Sequence, residues 1–201
     1  MNVEEMKAAI ESTPAEEIYN ELYISGDVWL FKKLFKDNWF LQYDEFKKYI
    51  AKKLDVHYNN VGIVGSAKLG FSLNPQKDYK AFDETSDVDI IIVSQRLFYE
   101  FWEQYLNDSY NLTTRIKNIN YVCFCIFRKY LTLDCFRNND YYNDWQKKTG
   151  DFEKDIQLQF QIGNDIHYRI FESWDSVKMY YISSINQLKG IEEVNKYNEN
   201  N

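Results

Sequence analysis

The chain has 201 residues, 45% hydrophobic and 18% aromatic, and a formal net charge of −7. That length and apolar share suffice for a buried core, and only 7 glycines and 2 prolines exclude a collagen-like, loop-dominated or extensively disordered chain. The acidic balance excludes an extended basic stripe for duplex nucleic acid, while leaving room for a local basic pocket.

Three cysteines, Cys123, Cys125 and Cys135, lack the second pair that a zinc pattern requires. With no signal-like leader, their odd number points to a reducing cytoplasm. No apolar run approaches the ~20 residues of a membrane span.

In chain order, the first third reads as helical. Thr13-Pro14-Ala15-Glu16 has the form of a capping box with proline at the first helical position. Val28, Leu30, Phe31, Leu34 and Phe35 cluster at helical spacing. Asp44 suits the cap of a helix carrying Phe46, Tyr49, Ile50 and Leu54 on one face. The pattern changes at Val56, and Val61 to Val64 predicts a short buried strand stopping at Gly65-Ser66. A polar stretch from Asn74 to Ser86 precedes Val88 to Val93, β-branched almost throughout and the clearest strand in the chain. Ser94 then caps a helix that turns Leu97, Phe98, Phe101, Trp102 and Tyr105 inward.

Further on, Thr113 to Tyr130 predicts a helix with Ile116, Ile119, Cys123, Ile126 and Tyr130 on one face, although 121–127 also fits a strand. Residues 134–150 read as loop and short helix. Ile156, Leu158, Phe160 and Ile162 alternate with polar residues, which predicts a half-buried strand. Gly163-Asn164-Asp165 supplies a turn, and His167 to Phe171 its hairpin partner. Ser173 to Lys189 closes as an amphipathic helix. The expectation is an α+β fold: a small mixed sheet flanked by N- and C-terminal helices. It forms one domain over 1–201, with a core of about 56–175, a helical extension over 1–55 and a C-terminal helix over 173–190.

Two devices fit a single chemistry. At Gly65 the backbone can approach a ligand closely, and Ser66 offers a hydroxyl and an N–H to a phosphate oxygen. Lys68 stands nearby as a point charge for a β- or γ-phosphate. In Asp87-Val88-Asp89, strand periodicity sends both carboxylates to one face. Adjacent anions repel unless a cation sits between them, and hard oxygen ligands of this kind suit Mg²⁺ (or Mn²⁺) that also holds nucleotide phosphates. Gly62-X-X-Gly65 is no Walker loop, since no Gly-Lys-Ser/Thr follows. His57 and His167 lack partners at metal-ligand spacing and read as structural or solvent-facing. Arg96, Arg115, Arg128 and Lys129 are candidate pocket cations whose default is the surface. Ser66 has no evident His/Asp partners for hydrolase chemistry.

Apolar strand, Gly65-Ser66, Lys68, Gly70, a linker, then Asp87-Val88-Asp89 on an apolar strand: this order resembles the polymerase β nucleotidyltransferase superfamily, over residues 56 to 110. It is most similar to small standalone bacterial nucleotidyltransferase-domain proteins, and more distantly to cyclic-dinucleotide synthases and the minimal enzymes of toxin–antitoxin and defence loci. The resemblance implies that Gly65 and Ser66 hold a nucleoside triphosphate and that Asp87 and Asp89 bind Mg²⁺. The reaction would move a nucleoside monophosphate to an acceptor hydroxyl of a protein, an RNA end or a small molecule. The linker between Ser66 and Asp87 exceeds that of the minimal enzymes. The family's third carboxylate has no clear counterpart, with Asp155 the nearest candidate and Asp134 another. Without that acid, the alternative is a degenerate nucleotide-binding or antitoxin-like protein acting on a cognate partner.

Overall fold

The computed structural model of the chain describes residues 2–24, 27–111, 116, 118–132 and 140–199. It opens with α1 (Val3–Ser12) and α2 (Ala15–Tyr19), the latter running into a π-turn at Asn20–Ile24. The capping box lies at Asn2 and Glu5, which exchange side-chain-to-backbone hydrogen bonds at 2.9 Å. The expected box at Thr13 is not made: Thr13 ends α1, and α2 starts behind Pro14 with no side-chain cap.

Next come α3 (Trp29–Phe35) and α4 (Trp39–Leu54). Asp44 lies inside α4 rather than capping it. Strand β1 (Val61–Val64) runs directly into α5 (Gly65–Leu69), and β2 (Val88–Val93) into α6 (Gln95–Tyr110). Ser94 caps α6 as expected, its hydroxyl accepting the Leu97 N–H at 3.3 Å. The chain continues through α7 (Ile119–Phe127), β3 (Tyr130–Thr132), α8 (Asp140–Phe160), β4 (Ile166–Phe171) and α9 (Trp174–Glu199).

Together the strands form one mixed sheet in the order β1-β2-β4-β3. β1 pairs antiparallel with β2, β2 parallel with β4, and β3 antiparallel with β4. Period-two alternation divides β2 between the two faces. Val88, Ile90 and Ile92 enter a core shared with α3, α4, α6 and α8. Ile91 and Val93 enter a second core shared with α1, α2 and α9. Asp87 and Asp89 have the parity of Ile91, so they project on the α9 side. No helix among the described residues is long and apolar enough to cross a membrane.

Two predicted elements are corrected. Residues 156–160 are helical, not extended: Phe152, Ile156 and Phe160 are buried while Leu158 is 82% exposed, whereas a strand would put Leu158 on the same face as Ile156 and Phe160. His167 to Phe171 therefore pairs with β2 and β3 instead of forming a hairpin. The predicted helix over 113–130 contains α7 but ends early. Lys129 takes φ 59°, which lets Tyr130 enter β3 opposite Phe171. Within α7 the buried pair is Val122 and Cys125, whereas Ile119 and Cys123 are exposed. Leu112 to Arg115 and Cys135 lie outside the described residues.

Candidate active site

β1 delivers its last residue, Val64, opposite Asp89 of β2. The chain then turns through Gly65 at φ +65°, where an added Cβ would stand 2.8 Å from Asp89 Oδ2. Glycine is required here twice over: an L side chain rarely adopts that backbone conformation, and it would meet the carboxylate. The Gly-Ser turn and the second aspartate are thus in direct apposition. α5 is closed by Gly70, φ +90°, where an added Cβ would stand 2.7 Å from the indole of Trp29.

Asp87 is held by its approach. The linker folds back as Phe71 bridges Ala81, and the Ser72 and Phe82 N–H groups donate to Lys80 and Gly70 at 2.8 Å. Asp83 Oδ1 accepts from the Thr85 N–H at 2.9 Å, its hydroxyl at 2.7 Å and the Ser86 hydroxyl at 3.1 Å. These bonds, first those from Thr85 and then Lys80, hold the Asp83 carboxyl well below the usual range. Asn164 donates to the carbonyls of Asp83 and Ser86 at 2.9 and 2.7 Å, tying the turn before β4 to the entry of β2.

A cavity of about 370 Å³ opens over this apposition, within the range of small-molecule sites, and Gly65, Ser66, Asp87 and Asp89 all line it. Its cations are Lys77, from the linker, and Arg169, from β4. Its apolar wall comes from Tyr23 and from Tyr180, Tyr181, Ile185 and Leu188 of α9. Burial pushes the Asp89 carboxyl up from its ordinary value, against the pull of Arg169 and His167 and with a further push from Asp87. Two carboxylates at the start of one strand, one of them reluctant to ionise alone, form a donor set suited to a hard divalent cation completed by ligand phosphates and water. Among the described residues no group of three or more His, Cys, Asp or Glu forms a ready-made metal cluster.

Sequence reasoning missed what β4 contributes. In the parallel register Asp89 faces His167 and Ile91 faces Arg169, so the strand beside the aspartates presents an imidazole and a guanidinium on the same face. His167 Nε2 is 3.9 Å from Asp87 Oδ1. The Arg169 guanidinium lies over the Tyr180 ring, 5.1 Å from its centroid, and its Nε is buried without a hydrogen-bond partner among the described residues. The available signal was a second polar pair at a spacing of two, His167 and Arg169, mirroring Asp87 and Asp89.

Two predicted residues stand elsewhere. Asp155 lies on α8, which packs against the opposite face of the sheet, and its carboxylate accepts the Tyr49 hydroxyl at 2.8 Å. Its expected place depended on a strand where the chain forms a helix. Lys68, at 6% exposure, lines two other cavities rather than the one over Asp89. The remaining candidate acid, Asp134, and the candidate cation Arg115 lie outside the described residues. Arg96 is spent on Glu100 and on the carbonyls of Leu54 and Asp55, and Lys129 pairs with Glu172. The chain matches no protein-family model, no curated protein and no solved structure.

Proposed function

We propose that this chain is a nucleotidyltransferase of the polymerase β type, binding a nucleoside triphosphate with Mg²⁺ (or Mn²⁺) and transferring its monophosphate to an acceptor hydroxyl. The observation that carries the reading is the apposition of Asp89 to Gly65, which puts the carboxylate pair and the Gly65-Ser66 turn in one cavity. Ser66 and the Gly65 backbone would hold phosphate oxygens, with Lys77 and Arg169 compensating the triphosphate's charge. The apolar wall of Tyr180, Tyr181 and Leu188 suits a nucleobase. Asp87 and Asp89 would ligate the cation, which supplies charge neutralisation at the transferring phosphorus.

In the reaction the acceptor oxygen bonds to the α-phosphorus, the bond to pyrophosphate breaks, and the acceptor proton leaves. With Asp87 and Asp89 both assigned to the cation, the acceptor proton would pass to solvent.

A second reading, nucleotide binding without transfer, is favoured by one observation: β4 places His167 and Arg169 where a third acid is expected. Incubation with labelled triphosphates and Mg²⁺ separates the two. Label transfer and pyrophosphate release, both lost in Asp89→Ala, support the enzyme. Saturable binding with no turnover supports the binder. Absence of both removes the nucleotide reading.

A further inference from the structure

Lys68 sits on α5 behind the Gly65-Ser66 turn, buried to 6% exposure. Burying an ammonium without a counter-charge is costly, and in an acidic chain a carboxylate partner would be easy to supply. None is made among the described residues: the charge that acts on Lys68 is another cation, Lys47 of α4. Burial, with Lys47 adding to it, lowers the Lys68 amine to about 8, so it remains mostly protonated at neutral pH.

Lys68 lines a cavity of about 470 Å³ between α4 and the open edge of β1, and none of the residues around it is acidic. Tyr43 reaches into the same space. Its oxygen accepts the Ile63 N–H at 2.9 Å, which leaves the hydroxyl proton to donate, and no described residue receives it. Lys47 is engaged by Asp44 at 2.8 Å, so Lys68 is the cation with charge to offer. Apart from Asn59, the rest of the wall is apolar or aromatic, with Val61, Ile63, Ile91 and Trp174. On its other side Lys68 borders a smaller cavity, of about 250 Å³, that includes Glu21 and Asp27. Asp27 is paired with Lys32.

We propose that this cavity is a second ligand site, taking a small molecule that joins a phosphate or carboxylate to an aromatic or apolar body. The anion would meet the Lys68 ammonium and the Tyr43 hydroxyl, and the body would lie along Trp174 and the β1 side chains. Tyr23 and Val64 line this cavity and the one over Asp89 alike, so an occupant borders the Gly-Ser turn. The proposal does not depend on the nucleotide reading.

Calorimetric titration with phenyl phosphate and, separately, benzoate tests it and distinguishes the two anions. At least one should bind the full chain. Lys68→Met, which keeps the apolar stem, should weaken that binding about 10-fold or more, as loss of a charge-assisted hydrogen bond does, and Lys68→Arg should restore most of it. In the unaltered protein, the amide resonances of Tyr43, Gly62 and Lys68 should shift on binding while those of Asp87 and Arg169 stay. The proposal is overturned if neither probe binds at millimolar concentration, if Lys68→Met binds as the parent does, or if the shifts centre on Asp87 and Arg169.

Discussion

Asp89 and Gly65 form the pair on which the proposed chemistry turns, and each makes a prediction about stability. Asp89 has its proton affinity raised in the folded state, chiefly by burial, so the folded chain holds that proton more tightly than the unfolded chain. Stability from this group is therefore present at acid pH and is lost as pH rises through the folded value. Asp89→Asn cannot ionise and escapes that loss. Chemical denaturation should show its stability relative to the parent growing from pH 4 to pH 7, while Mg²⁺-dependent triphosphate binding disappears. A difference between variant and parent that stays flat or shrinks from pH 4 to pH 7 contradicts the argument. Gly65→Ala imposes a left-handed residue, costing about 1–2 kcal/mol, and sets its methyl against the Asp89 carboxylate. It should lower both stability and triphosphate affinity, whereas an unperturbed Gly65→Ala would mean that the turn and the aspartate are not in contact.

At the scale of elements, the contrast between β2 and α8 explains how much of the site was legible. Val88 to Val93 is β-branched and apolar except at Asp89, where alone its burial is incomplete, and the shared face of the carboxylates at 87 and 89 follows from its period of two. Residues 156–162 alternate equally well on paper, yet their neighbours Phe152, Ile156 and Phe160 fit a helical stripe that packs on α4 and the sheet. A short apolar alternation is ambiguous because periods of 2 and 3.6 coincide at a spacing of four. That error misplaced Asp155 and gave the strand at 167–171 the wrong partner, since it stands beside Asp89. Substitution distinguishes the assignments. Phe160→Ala should cost about 3–5 kcal/mol, while Leu158→Glu, at an 82% exposed position, should stay within about 0.5 kcal/mol. A strand would penalise both, since it puts them on one face. For the same reason Asp155→Asn should leave nucleotidyl transfer intact and disturb only the Tyr49 contact.

For the molecule as a whole, the sheet separates two helical layers, and the cavity over Asp89 draws its walls from β1, β2, β4 and α9. A ligand bridging those elements stabilises the folded state by mass action. At 100 times its dissociation constant the gain is about 2.7 kcal/mol, roughly 5–10 °C in melting temperature for a chain of this size. Mg²⁺ with a nucleoside triphosphate should produce that rise, and Asp87→Asn should remove it. A melting temperature insensitive to triphosphate speaks against both nucleotide readings.

What could be read from the chain alone was local. The strand that stops at Gly65, the shared face of Asp87 and Asp89 and the Ser94 cap all follow from residues within a few positions of one another, where backbone geometry leaves few choices. Which strand lies beside β2, that it brings His167 and Arg169, and that α5 turns Lys68 away from the aspartates were decided only by tertiary packing. Those facts depend on which faces bury together across long stretches of sequence, and no local period encodes that.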